Sequence, residues 1–243
     1  MPLNKQRGNM YTFVTHTHSH LRGKCPHGCS YCYVQAHERR WKTGAFSGPL
    51  RIDEKELRVR YGEGKTIFIE HQNDLFAEDV LEGEVELVLD HAAAWPKNTY
   101  VFQTKNPDGM LCWLSSLPEK SILGVTIESN RHYPEIMGYA PPPPYRRAEA
   151  MTHIRFDCPT ATIFVTVEPI LDFDVDELVA MLRSVRPTFV NIGADSKGHG
   201  LPEPPWSKVE ALLAGLEAAR IEVRQKSNLD RLRRAGKGAG RLA

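Results

Sequence analysis

The segment Lys24-Cys25-Pro26-His27-Gly28-Cys29-Ser30-Tyr31-Cys32-Tyr33 puts three cysteines on one short loop, with three residues between the first two and two between the last two. Thiolates at that spacing can converge on an iron–sulfur cluster, and three protein ligands leave one iron of a four-iron cluster open for another molecule. Pro26 and Gly28 permit a tight turn. Tyr31, beside the last thiolate, is placed to shield a cluster from water and tune its potential. A closed zinc site is the rival reading, using Cys25, Cys29, Cys32 and one of His16, His18, His20, His27 or His37. It fits less well, because no second short cysteine or histidine couple follows downstream. A disulfide framework fits worst, since three cysteines cannot all pair. The chain has five cysteines in all, an odd number that suits a reducing compartment and a metal. Cys112 and Cys158 read as small buried hydrophobes without a chemical role, and two cysteines are too few to hold a second four-iron cluster.

A cluster loop needs a rigid platform. Apolar runs rich in β-branched and aromatic residues at 11–17, 66–71, 99–104, 122–127, 161–167, 188–192 and 221–223 predict strands. Segments 79–94, 108–114, 145–153, 174–183 and 206–219 have helical spacing; in the fourth, Val175, Leu178, Val179 and Leu182 share one face. Strand and helix alternate, which predicts an α/β fold: a parallel sheet with right-handed crossovers, covered by helices and curled into a full or partial barrel. A charged excursion at 41–64 and a four-proline turn at 141–144 interrupt the pattern without marking a domain boundary. A single domain over residues 1–243 is expected.

In such folds chemistry gathers at the C-terminal ends of the strands. Those ends here read His16-Thr17-His18, Glu70-His71-Gln72-Asn73-Asp74, Thr104-Lys105-Asn106, Glu128-Ser129-Asn130, Glu168-Pro169 and Gly193-Ala194-Asp195-Ser196. Glu168, Asp172, Asp195, Lys197, His199 and Lys226 are the candidates for binding a polar substrate on the late rim. Of His16, His18 and His20, at most two are expected to face the cavity, one of them to orient substrate.

The cysteine spacing, with an aromatic residue before the third cysteine, resembles the signature of the radical S-adenosylmethionine (radical SAM) superfamily. That resemblance implies a partial (β/α)6 TIM-like barrel whose first strand precedes the cluster loop, spanning residues 24–33 here. It also implies a [4Fe-4S] cluster on Cys25, Cys29 and Cys32, and S-adenosyl-L-methionine chelated to the open iron. Reduction by an external donor such as flavodoxin or ferredoxin then yields a 5′-deoxyadenosyl radical that takes hydrogen from a substrate. Many members carry Gly-Gly-Glu after the second strand to receive the cofactor's amino group; this chain does not, and Asn73 or Asp74 becomes the expected acceptor. The arrangement is similar to spore photoproduct lyase-like members, which implies Lys105 for the cofactor carboxylate, Ser129 with Glu128 and Asn130 for the ribose, and backbone groups around Gly193 for the adenine. The segments CxxxCxxCY, NDLF at 73–76, VEP at 167–169 and GADS at 193–196 also resemble a phage-associated group of compact radical enzymes with no assigned reaction.

Lys and Arg total 31 against 30 Asp and Glu, so no global positive field holds nucleic acid and any basic surface must be local. The segment 224–243 supplies one, with Arg224, Lys226, Arg231, Arg233, Arg234, Lys237 and Arg241 against the single acid Asp230. With the lyase resemblance, it points to a nucleic-acid base or nucleotide as substrate. The alternatives are a peptide or small metabolite, or a non-enzymatic metal module, either structural zinc or an electron carrier. The N-terminus lacks the apolar core of a signal peptide and no run approaches the roughly 18 apolar residues a bilayer span needs, so a cytoplasmic protein without membrane contact is expected.

Overall fold

The computed structural model describes residues 3–6 and 10–239, the last four through their backbone. Seven strands run parallel, in chain order, across one sheet: β1 (His16–His18), β2 (Thr66–Ile69), β3 (Thr99–Thr104), β4 (Ser121–Thr126), β5 (Thr162–Val167), β6 (Phe189–Ile192) and β7 (Glu222–Gln225). The short strand Asn4–Lys5 pairs antiparallel with β1 and forms one edge, so the described sheet has eight strands and ends on β7 at the other edge. Helices α1 (Tyr33–Trp41), α2 (Glu82–Ala93), α3 (Pro107–Leu111), α4 (Pro144–Asp157), α5 (Val175–Val185) and α6 (Trp206–Ala218) each lie in a crossover, and α7 (Asp230–Ala239) follows β7. The fold is therefore α/β, with six βα units and a seventh strand curled into a partial barrel whose two edge strands, among the described residues, do not pair with each other.

The strand periodicity of two sorts apolar side chains onto two faces. Ile67, Ile69, Phe102, Leu123, Val125, Ile163, Val165, Val190 and Ile192 face the helices and build the main core with Val88, Leu89, Met151, Ile154, Leu178, Leu182 and Leu212. Register keeps this layer continuous, with Val125 opposite Val165, Val165 opposite Val190 and Val190 opposite Val223. The inner face carries a smaller aromatic floor of Tyr11, Val14, Phe68, Val101, Phe164 and Phe189. Gly124 makes it possible: a Cβ there would lie 2.2 Å from the Phe164 ring, so only glycine admits that ring across the strand.

Two expectations change. Residues 11–14 are not strand; Val14 N–H bonds back to Tyr11 O in a turn, and the first strand starts at His16. The run is apolar because it plugs the barrel from inside, where Tyr11 and Phe13 stack at 5.3 Å and Phe13 meets Phe189 edge-on at 5.3 Å. The excursion at 41–64 is ordered: Arg51–Ile52 pairs with Leu21–Arg22, and a short 3-10 turn, Glu56–Arg58, follows. Among the described residues, no helix is long and apolar enough to cross a membrane.

Candidate active site at the barrel mouth

The cysteine loop is fastened to the strand ends by groups from both sides. Ser30 N–H bonds to Ile136 O at 2.9 Å, and Gly138 lies so close that a Cβ would sit 1.7 Å from His27 O. His27 Nε2 lies 2.6 Å from Asp74 Oδ2, and the Asp74 carboxylate also accepts Lys105 N–H at 2.7 Å, the Thr104 hydroxyl at 3.0 Å and Phe76 N–H at 3.1 Å. Asp74 is buried; burial alone would raise its pKa, but His27 and these donors hold it below the usual carboxylate range.

A second buried carboxylate organises the opposite side. Glu128 takes Lys105 Nζ at 2.6 Å and Arg147 Nη1 at 2.9 Å, and it accepts a short hydrogen bond from the Tyr31 hydroxyl. Burial opposes its charge, yet Lys105, Arg147 and the bonds from Lys105 and Tyr31 outweigh it and bring its pKa down to about 2. Lys105 Nζ also lies 3.0 Å from Cys29 Sγ and 3.0 Å from Met137 O, and 4.9 Å from the centre of the Tyr31 ring. One ammonium thus ties a cluster-loop thiol to the buried carboxylate.

Cys25 and Cys32 line a small cavity of about 160 Å³ with Asn73, Asp74, Gln103 and Lys105. Burial, then the charge of Asp74, pushes the Cys25 thiol up to about 12, and burial raises Cys32. Thiols held protonated this way need a strongly positive group before they ionise, as iron supplies. Asn73 Oδ1 is buried without a hydrogen-bond partner, although the amide nitrogen reaches Leu21 O and Gly23 O at 3.5 Å. An orphaned acceptor in this cavity suits a cationic amine, whereas Asp74 has its oxygens occupied.

A cavity of about 920 Å³ adjoins the small one, sharing Tyr33, Phe68, His71 and Gln103 with it. It is lined by Tyr11, Glu168, Asp195, Lys197, Lys226 and Arg231, and also by Lys5 from the opposite edge of the sheet. At its floor the Tyr11 hydroxyl lies 2.7 Å from Gln103 Oε1 and 2.7 Å from Thr166 Oγ1. Lys226 pairs with Glu168 at 2.7 Å and sits 5.0 Å over the Tyr11 ring.

The mouth therefore gathers Cys25, Cys29, Cys32, Asn73, Asp74, Lys105 and Glu128 on one side, and Glu168, Asp195, Lys197 and Lys226 on the other. Other expected residues lie elsewhere. The Ser129 hydroxyl donates to Asp172 O at 2.7 Å and accepts Arg131 N–H at 3.0 Å, so it closes a loop. Asn130 bonds to Asp174 and Glu177, and Asp172 pairs with Arg131 and Lys208. Gly193 N–H bonds to Val167 O, and Ile170 N–H bonds to Gly193 O, so its backbone serves the barrel; a Cβ there would lie 2.7 Å from Glu168 Oε1. His18 and His20 leave β1 on the face opposite Thr17, which lines the large cavity, and none of His16, His18 and His20 faces that cavity. In the basic segment, Arg224, Lys226, Arg231 and Arg233 are ion-paired with Glu222, Glu168, Glu203 and Asp230. The Lys237 side chain and Arg241 lie outside the described residues. Sequence reading missed Gln103 and Arg147, and gave His27, inside the cysteine loop, only as a possible zinc ligand and not as the partner of Asp74.

Residues 11–196 match the family described as "Protein of unknown function (DUF5131)". The chain belongs to that family. No curated protein sequence matches it. Among solved structures, spore photoproduct lyase complexed with dinucleoside spore photoproduct superposes with a TM-score of 0.61 at 11% identity, over 90% of this chain and 78% of that one. Streptococcus suis SuiB bound to its precursor peptide SuiA gives 0.56 at 9% identity, over 87% of this chain and 48% of SuiB. SuiB bound to S-adenosylmethionine gives 0.52 at 10% identity; the chain spans about half the length of SuiB. These are radical SAM enzymes, and this member of the DUF5131 family shares their partial-barrel fold.

Proposed function

We propose that this protein is a radical SAM enzyme in which Cys25, Cys29 and Cys32 hold a [4Fe-4S] cluster and Asn73 and Lys105 bind S-adenosylmethionine. The observation that carries this reading is a loop with three half-buried cysteines fixed over the C-terminal ends of parallel strands, beside a cavity with an orphaned acceptor, in a chain with the fold of such enzymes. Cluster and cofactor together supply hydrogen-atom abstraction. The protein's own contribution is positioning. Asp74 and Glu128 hold the loop through His27 and Tyr31, Lys105 sets a positive charge beside Cys29, and the aromatic floor closes the barrel below the mouth.

Zinc is the weaker reading of the same cysteines. A tetrahedral zinc with bonds of about 2.3 Å would gather its sulfurs to within about 3.8 Å of one another. Among the described residues, the three thiols do not form a group within 4.8 Å.

The substrate proposed is a nucleic-acid component. Support comes from the large cavity, where Lys5, Lys197, Lys226 and Arg231 surround Tyr11, Tyr33 and Phe68, the mix of cations and stacking surfaces that single strands favour. The dinucleoside bound in the lyase complex is in keeping with it. A reduced flavodoxin or ferredoxin would deliver the electron, in a reducing cytoplasm. Anaerobic reconstitution with iron and sulfide, followed by S-adenosylmethionine and dithionite, should release 5′-deoxyadenosine. A protein that binds no iron, or holds a full cluster and releases none, refutes the assignment.

A further inference from the structure

Outside the barrel, between β1, α2 and the 41–64 excursion, three histidines meet. His18 and His20 come from the end of β1 and His91 from α2, and one ring nitrogen of each lies within 4.8 Å of the others. His18 and His20 are buried and His91 half-buried. Glu70, Tyr61, Glu56 and Val59 surround them.

The protons do not add up without a further positive group. His20 Nδ1 lies 2.7 Å from the buried Glu70 carboxylate, which also accepts His20 N–H at 2.5 Å. That contact fixes the tautomer with hydrogen on Nδ1 and leaves a lone pair on Nε2. His91 Nε2 lies 2.9 Å from Val59 O, an acceptor only, so its hydrogen is there and Nδ1 carries a lone pair. Yet His20 Nε2 and His91 Nδ1 face each other at 2.8 Å. The Tyr61 hydroxyl, 3.2 Å from His20 Nε2, can serve only one of them. A proton between the two rings would satisfy that pair but would do nothing for His18 Nε2, which is buried and has no hydrogen-bond partner. Its nearest carboxylate oxygen, Glu56 Oε2, is 3.8 Å away, and the other Glu56 oxygen is held by Arg22 at 2.8 Å.

We propose that His18 Nε2, His20 Nε2 and His91 Nδ1 form a binding site for one divalent transition cation of the zinc class, separate from the cysteine loop. Three imidazoles suit such an ion, and nitrogens about 3.3 Å apart around it follow from bonds of about 2.0 Å. Glu70 plays the supporting role that carboxylates play behind ligating histidines, holding His20 by its other nitrogen. Glu56 is the nearest candidate for a fourth ligand. Since the ligands come from β1 and α2, with the excursion packed over them, the ion would staple the excursion and α2 to the first strand. The site faces away from the cavity, so its role is to hold structure and its existence does not depend on the reaction proposed above.

Zn²⁺ is the probe. The protein, stripped with chelator and carrying Cys25→Ser, Cys29→Ser and Cys32→Ser to remove the loop thiols, should bind one equivalent of Zn²⁺ and gain several degrees in thermal midpoint. X-ray absorption of the zinc-loaded protein should show nitrogen and oxygen neighbours alone. His91→Ala, at the half-buried position on α2, should weaken Zn²⁺ binding at least a hundred-fold, and His18→Ala should do the same. If His18→Ala fails to fold, circular dichroism reveals it and His91→Ala decides. No bound Zn²⁺ in the protein without its loop thiols, or binding that His91→Ala leaves unchanged, overturns the site. Cluster assembly and cofactor cleavage, measured on wild-type protein, report separately on the proposed enzyme.

Discussion

The two sides of the barrel mouth are built differently. On the cysteine side the charges are buried and matched: Glu128 between Lys105 and Arg147, and Asp74 against His27, two donor N–H groups and a hydroxyl. On the late rim Glu168 and Lys226 are half-buried, and Lys197 and Arg231 are exposed. Breaking a buried pair strands a charge in low dielectric, whereas exposed pairs contribute little and exchange partners freely. The cysteine side is thus organised to hold one geometry, whereas the more exposed pairs of the late rim can exchange partners.

Replacing Cys25, Cys29 or Cys32 with Ala should have the largest effect, abolishing bound iron and all cofactor cleavage, as iron counting and absorbance report. Retained iron in these variants would erase the distinction between the sides. Glu128→Ala comes next. It leaves Lys105 and Arg147 uncompensated and should cost about 3–5 kcal/mol in urea unfolding, while Arg231→Ala on the late rim, where the bond to Glu203 is exposed, should cost under about 1 kcal/mol. Equal losses would remove the contrast. Because the Glu128 pKa falls from 4.5 to about 2 on folding, its stabilisation is present above pH 4.5 and is lost as pH falls towards 2. Glu128→Gln should flatten stability across that window.

Lys105→Ala should weaken S-adenosylmethionine binding about ten-fold or more, as expected for losing a charge-assisted contact of roughly 1.5–3 kcal/mol. Asn73→Ala should weaken it less, and Ser129→Ala should leave it unchanged, because that hydroxyl is committed to Asp172 O. Equal effects from Ser129 and Lys105, by anaerobic titration, would move the cofactor towards β4. The smallest effect belongs to the late rim: Lys197→Ala and Arg231→Ala should each lower the salt slope of single-stranded DNA or RNA binding by about 1 and leave the cluster intact. No binding at low salt by cofactor-cleaving protein would redirect the search to a peptide or metabolite.

What could be read from the sequence was what spacing encodes locally. The cysteine loop declares itself within eight positions, and alternating apolar runs order the strands because each unit is contiguous in chain. Longer-range partners left no such mark. Ser129 looks like a free strand-end hydroxyl until Asp172 O, 43 residues on, is seen to take it. Arg147 sits inside a helix like any surface cation, yet its guanidinium is buried against Glu128 and Thr126 O. Residues 11–14 were ambiguous because a strand and an interior plug demand the same apolar composition. His18 and His20 were legible as a pair, but the ring that completes their cluster is His91, far along the chain.

The seam of the barrel has a consequence for what can enter. The large cavity is lined by Lys5 and Gln6 from one edge of the sheet and by Lys226, Ser227 and Arg231 from beyond the other, so both edges of the split ring meet whatever occupies it. A closed ring accepts a polymer only by its tip. For the nucleic-acid substrate proposed above, a split ring would let a chain be laid in sideways, so that a unit in the middle of a long strand could meet the cysteine loop without any terminus having to thread through.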